Sequence, residues 1–446
     1  MTDRGARRAR RLFAPALALL ATLLAACDGD SPAGPGDGAL DLSRYVAIGN
    51  SLTSGYMNGA LGIEGQSCSY PRLLAGQAGA GAGFSQPLVA APGISEPGSG
   101  MGRIELLSLA PITIERAIPA GHPLNEGQEL PYSNLGVPGA LAAEALVARN
   151  RATSPSDNPF FDLVLRGRGT WAQQVAERNA SFVTVWLGNN DVLGYVVRGG
   201  ETADFPTPAA EFAATYEELV TRLLETTDRI VLLNIPPVTV VPYLTSIPTV
   251  VVDPTTLDTI PGPGGAPVPL LGPDGPLSPS DQITFDAVER ILGGDGAPVS
   301  MGGTGVPLSA DVVLNVQEQS VARATIDAYN AAIAQTAARH GLAVVDVHAV
   351  VSDIAANGLV VEGQTLTTTF LIGGLFSLDG IHPTCKGQGV IANALIETIG
   401  ARYGVTIPPV SIAGLPGVTL TAEGHIAPAG AGRGLPRFRR VGRLSF

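Results

Sequence analysis

Apolar runs that end near Gly49, Leu187, Asn234 and Val347 alternate along the chain with helical stretches such as Ala209 to Thr226 and Val321 to Arg339. This alternation predicts a parallel sheet covered by helices on both faces. In such sheets ligands bind beyond the carboxyl ends of the strands, so the residues that follow each run are the first place to look for chemistry.

Four short segments stand out there. The run Tyr45 to Gly49 gives way to Asn50-Ser51-Leu52, which puts Ser51 where a strand meets a loop or helix start and its hydroxyl can be exposed. Taken alone, Ser51 reads more readily as the cap of the next helix. Asp379-Gly380-Ile381-His382 lies beside Pro383, just ahead of the helical stretch Gly387 to Ile399. At that spacing the carboxylate can reach the imidazole, fix its tautomer and steady its charged form, although an ordinary turn carrying a loop histidine has the same letters. Ser133 to Gly139 places glycines after an extended stretch, where a backbone N–H can approach a ligand closely; otherwise Gly139 simply starts a helix over Ala140 to Arg149. Gly188-Asn189-Asn190-Asp191 ends a buried-looking strand in amides, which are either turn residues or, at Asn190, an uncharged donor. As a set, the segments supply a nucleophile, a base with its carboxylate, and donors for an oxyanion.

In this order the segments resemble the characteristic blocks of the SGNH (GDSL-like) hydrolase superfamily, over roughly Tyr45 to Tyr403. The resemblance implies Ser51 as nucleophile and Asp379 with His382 as orienter and base. It also implies an oxyanion hole from the N–H groups of Ser51 and Gly139 and the side chain of Asn190. The fold implied is a flavodoxin-like three-layer α/β/α arrangement with a mostly parallel five-stranded sheet, and no cofactor is called for. Two positions depart from the family pattern: Asn50 stands where the family name has Asp, and Asn189 where a second Gly is frequent. Asn50 keeps an acceptor oxygen but loses the charge. Ser51 does not sit in a Gly-x-Ser-x-Gly elbow.

At the amino terminus, Arg4, Arg7, Arg8, Arg10 and Arg11 precede an apolar run from Leu12 to Ala26 that meets Cys27. At about 15 residues the run is short for a membrane span and reads as the core of an export signal. Leu24-Ala25-Ala26-Cys27 resembles a bacterial lipobox, implying cleavage before Cys27 and lipidation of that cysteine; a plain secretory signal is the alternative. Removing the leader takes away five Arg and one Asp, four net positive charges, and moves the net charge from −12 to −16. So acidic a body argues against nucleic acid and anionic headgroups as partners, leaving the lipid to make the membrane attachment. In an oxidising compartment the remaining pair, Cys68 and Cys385, invites a disulfide tying the serine loop to the histidine loop, against two buried thiols. No Cys/His cluster has metal-ligand spacing.

The sequence thus divides into a signal (1–26), a Gly/Pro/Asp/Ser-rich tether (27–44), one hydrolase domain (45–405) and a Pro/Gly-rich, Arg-bearing tail (406–446) expected to be disordered. The domain carries a long insertion over about 237–318, expected to act as a lid or substrate wall. Ala80 to Leu130 is a second candidate wall, with Phe84, Leu88, Ile94, Met101 and Ile104 as acyl contacts. The function expected is serine-dependent hydrolysis of lipid or acylated-glycan esters at the cell envelope, on its periplasmic or extracellular face. The alternative is a lipoprotein that binds lipid or glycan on the same fold without turnover.

Overall fold

The computed structural model describes residues 40–109, 111–419 and 435–439. The signal, Cys27 and the tether up to residue 39 lie outside the described residues. Leu40 to Arg44, assigned to the tether, belong to the folded unit: Leu40 and Leu42 pack on the core, and the Arg44 Nε donates to the Asn179 carbonyl at 2.7 Å.

Five strands form the central sheet: β1 (Tyr45–Gly49), β2 (Asn134–Gly136), β3 (Phe182–Trp186), β4 (Ile230–Leu233) and β5 (Ala343–Val345). All pairings are parallel and the order is β5-β4-β3-β1-β2. This is the doubly wound arrangement, whose switch point falls beside β1. The strands are apolar on both faces because both are covered. Val46, Ile48, Val183, Val185, Ile230 and Leu232 pack toward the helices Ala209–Leu224 and Val316–His340. The alternate residues Tyr45, Ala47, Phe182, Trp186, Val231 and Leu233 pack toward Tyr70–Gln77 and Cys385–Tyr403. The period of two along each strand sorts the side chains into these two cores.

The insertion after β4 is built from short ordered pieces, among them helical turns at Pro242–Thr245 and Val288–Leu292 and a small hairpin at Leu271–Gly272 and Gly275–Pro276. The helix expected over Ala140 to Arg149 is a single tight turn, Ala142–Glu144, in an irregular segment. The expected acyl contacts in Ala80 to Leu130 are corrected: Phe84 stacks on Tyr45 at 5.2 Å, Ile94 and Ile104 are buried in the core, and neither Leu88 nor Met101 lines the site cavities described below.

The tail is corrected too. Residues 406–419 are placed, with Val410 and Ile412 buried and the Asn393 amide exchanging two hydrogen bonds with the Val410 backbone. Arg437–Arg439 is a strand parallel to Ile112–Arg116, which pairs in turn with Ile104–Leu109. Phe438 turns inward to Phe285 at 5.6 Å, while the preceding Arg437 is exposed. Arg433, Arg440 and Arg443 lie outside the described residues.

Cys68 and Cys385 are joined in a disulfide across 317 residues, with their Cα atoms 5.3 Å apart. It ties the segment after the serine turn to the first residue of the helix behind the histidine turn. Replacing both cysteines with alanine is expected to cost about 2–5 kcal/mol, because so long a closed loop leaves the unfolded chain much freer. Denaturant melts of the oxidised protein and the double variant would check this, and equal midpoints would count against it.

Candidate active site

At the end of β1 the backbone must turn sharply. Asn50 is extended and its side-chain oxygen caps the turn by accepting from Leu52 N at 3.1 Å, while Ser51 opens the four-residue helix Ser51–Ser54. Gly49 permits this tight packing: a Cβ there would lie 2.1 Å from the Thr53 hydroxyl and 2.5 Å from the Trp186 carbonyl. Ser51 is 6% exposed and lines a cavity of about 500 Å³.

His382 lines the same cavity, and its Nδ1 is 3.0 Å from Asp379 Oδ2. With Nδ1 donating to the carboxylate, Nε2 is left as the basic nitrogen. Asp379 is fully buried and accepts three further N–H groups: Gly59 at 2.8 Å on Oδ2, and Ile381 at 2.9 Å and His382 at 2.8 Å on Oδ1. Burial alone would raise its pKa; the charge of His382 and these hydrogen bonds outweigh burial and hold the carboxyl below its ordinary value. The Tyr56 ring packs 4.8 Å from the imidazole, and its hydroxyl donates to the Ser95 carbonyl at 2.9 Å.

Gly139 and Asn190 also line the cavity. Gly139 has φ +76, the left-handed conformation that glycine adopts without strain. Asn190 begins the helix Asn190–Val196 at the end of β3, and its Nδ2 gives one hydrogen to the Ala140 carbonyl at 2.9 Å. Its second hydrogen remains for a ligand. The neighbouring Asp191 is fully buried and accepts from Ala142 N at 3.0 Å and from the Thr207 hydroxyl at 2.9 Å. Both residues therefore hold the loop that carries Gly139. The two departures from the family pattern meet each other: Asn50 Nδ2 donates to Asn189 Oδ1 at 3.1 Å.

The structure thus brings Ser51, Gly139, Asn190 and His382 to one cavity, with Asp379 directly behind His382. The sequence reading missed Tyr56, Gly59 and Arg116. Asn58-Gly59 is a turn dipeptide that could have drawn attention. Arg116 carries no such signal: it is 4% exposed, and its guanidinium donates to the carbonyls of Gly59 at 3.0 Å and Gly102 at 2.7 Å. It thereby fixes the loop whose Gly59 N–H reaches Asp379. Of the other histidines, His340 pairs with Glu217 at 2.8 Å and His348 Nδ1 lies 3.1 Å from the Ile235 carbonyl, both away from the cavity. Among the described residues no group of three or more His, Cys, Asp or Glu side chains could hold a metal ion.

The doubly wound sheet and a buried Asp–His pair sharing its cavity with a strand-end serine define an α/β protein of the hydrolase type. The chain belongs to the GDSL-like Lipase/Acylhydrolase family, whose model matches residues 45–395. No curated protein matches it. Among solved structures it is similar to an acetylxylan esterase from Geobacillus stearothermophilus, at 15% identity and a TM-score of 0.35 over 80% of this chain and 93% of that one. It is also similar to an alpha/beta hydrolase enzyme from the metagenome of Lake Arreo, Spain (16%, TM-score 0.35, 80% and 94%). A third is the lipase/acylhydrolase from Enterococcus faecalis (12%, TM-score 0.33, 82% and 98%). Likeness at this level transfers neither activity nor substrate.

Asp191 gives the site a measurable pH signature. Burial lifts its carboxyl to about 6, against the opposing pull of the Ala142 and Thr207 donors. Its folded value lies above the unfolded one of about 3.9, so its contribution to stability is fully present below about pH 4 and is lost as pH rises through about 6. Asp191→Asn is expected to flatten the stability–pH curve in that window, by up to about 3 kcal/mol. Urea midpoints measured from pH 4 to 7 would read this, and an unchanged slope would mean that another group titrates there.

Proposed function

We propose that this protein is a serine-dependent ester hydrolase working through an acyl-enzyme. Ser51 Oγ attacks the ester carbonyl while His382 Nε2 takes its proton, and Asp379 stabilises the imidazolium. The oxyanion is met by the N–H groups of Ser51 and Gly139 and by the remaining hydrogen of Asn190 Nδ2. His382 then returns the proton to the departing alkoxide, and the alcohol leaves. Water attacks the acyl-enzyme by the same route, releasing the acid and restoring Ser51. The observation that carries this reading is the buried Asp379–His382 pair at 3.0 Å, opening on a cavity that Ser51, Gly139 and Asn190 reach from three other segments.

Expected outcomes are a loss of at least about a thousandfold in kcat for Ser51→Ala and for His382→Ala, and of about a hundred- to a thousandfold for Asn190→Ala. The assay is p-nitrophenyl acetate hydrolysis by the purified protein, with a labelled fluorophosphonate as a second readout. Folded wild type that neither hydrolyses the ester nor takes the label would leave a binding lipoprotein as the better reading.

The proposal places the enzyme at the envelope of a bacterial cell, acting there on lipid or acylated-glycan esters and held by lipid on Cys27. Its support is the arginine-led apolar leader and the Leu-Ala-Ala-Cys sequence. Metabolic labelling with a radioactive fatty acid in a bacterial host should mark the wild type and not Cys27→Ser. Equal labelling of the two would overturn the anchor.

A further inference from the structure

The 500 Å³ cavity does not end at the serine. Ser51, Asn190, Leu193 and His382 also border a second, narrower recess of about 80 Å³, so the two spaces meet at the serine and histidine. Their walls differ in chemistry. The large cavity is edged by Glu96, Ser156, Asp157, Asn158, Arg198 and Asp286. Beyond the shared residues, the recess has no charged side chain, and its one amide, Asn189, accepts from Asn50 through Oδ1 and keeps its Nδ2 buried. Its Trp186 indole N–H is already donated to the Asn234 carbonyl at 3.0 Å. The remaining wall is apolar, with Val238 and Val241 from the start of the insertion, Val351 and Ile354 from the helix Val347–Asn357, and Phe376.

Resting on the hydrolase reading, we propose that the recess is the acyl site and the large cavity the alcohol site, making the protein an esterase for short acyl groups on a polar, hydroxyl-rich alcohol. An ester bonded to Ser51 has two arms leaving the carbonyl carbon, and two spaces leave Ser51. The hydrocarbon arm gains by entering walls that are apolar apart from the buried Asn189 amide, whereas a polyhydroxyl arm would lose most of its water there without replacement. Size favours a short chain: the recess holds about 80 Å³ against about 500 Å³ for the other space, which suits an acyl group of a few carbons better than the fatty chain of a typical lipid.

The test is kcat/KM for p-nitrophenyl acetate, butyrate, octanoate and decanoate with the full chain, wild type and variants side by side. Each methylene that enters the recess should raise the rate constant about fourfold, so butyrate should exceed acetate by about fifteenfold and octanoate should fall below butyrate. Val238→Phe and Val351→Phe, from separate segments, should each bring the butyrate-to-acetate ratio near one. Val351→Ala should move the optimum toward longer chains. The ratio is internal to each variant, and a thermal melt shows which variants are folded. A rise continuing to decanoate, or ratios unmoved in the folded variants, overturns the assignment while leaving the hydrolase reading intact. A folded wild type that hydrolyses none of the esters and takes no fluorophosphonate overturns the hydrolase reading, and the acyl site with it. For the alcohol arm, butyrylated glucose should be a better substrate than butyl butyrate; the reverse order would overturn that half of the proposal.

Discussion

A buried carboxylate is costly unless its lone pairs are met, and Asp379 meets its own with three backbone N–H groups and an imidazole. Two of those N–H groups belong to its own turn. The third, Gly59, comes from 320 residues earlier and makes the ionised state of Asp379 depend on the loop that follows the serine turn. The same two loops are stitched again where Asn58 N donates to the Ser377 hydroxyl at 3.0 Å and Leu378 N donates to Asn58 Oδ1 at 2.9 Å. Arg116 holds the far side of the Gly59 loop, and the Cys68–Cys385 bond closes the base of the assembly. The histidine is thus set against the serine by a chain of fixed contacts, which is the preorganisation that electrostatic catalysis requires.

The other half of the site is organised by the sheet. Ser51 and Asn190 each begin a helix at the carboxyl end of a strand, and β1 and β3 are neighbours. The Gly139 segment follows β2 on the other side of β1, has little regular structure of its own, and is held by Asn190 through Ala140 and by Asp191 through Ala142. One strand end therefore provides both the amide proposed to meet the oxyanion and the anchor for the Gly139 segment. This gives Asp191 a reason to be buried despite the cost that shows in its raised pKa.

The parallel sheet was legible because doubly covered strands are continuous apolar runs separated by helix-length stretches. The positions of Ser51, Gly139, Asn190, Asp379 and His382 were legible because short motifs carry them. What was hidden depends on contacts distant in sequence. Arg116 ends an ordinary strand, and its role follows only once Gly59 lies beside it. The strand Arg437–Arg439 was lost in a tail whose Pro, Gly and Arg content reads as disorder, since its partner strand lies more than 300 residues earlier. The acyl contacts expected in Ala80 to Leu130 failed for a related reason: apolar side chains with no clear period were matched to a pocket when the core was claiming Phe84, Ile94 and Ile104 and leaving Leu88 and Met101 half-exposed. The recess is instead lined from the insertion and from the helix after β5, which no local pattern links.

The pairing of Asn50 with Asn189 joins two departures that look independent in the sequence. Asn50 is fully buried, accepts from Leu52 and has an N–H group that must find an acceptor; Asn189 Oδ1 supplies it. With glycine at 189 that N–H would lose this partner, at a cost of about 1–3 kcal/mol. With aspartate at 50, two acceptor oxygens would face each other unless the Asn189 amide turned over. Asn189 thus gives Asn50 its acceptor, while its own Nδ2 stays buried without a partner. The outcome is a neutral hydrogen bond between the turn that presents Ser51 and the turn that presents Asn190, so the proposed nucleophile and oxyanion amide are held in register without a charge at position 50.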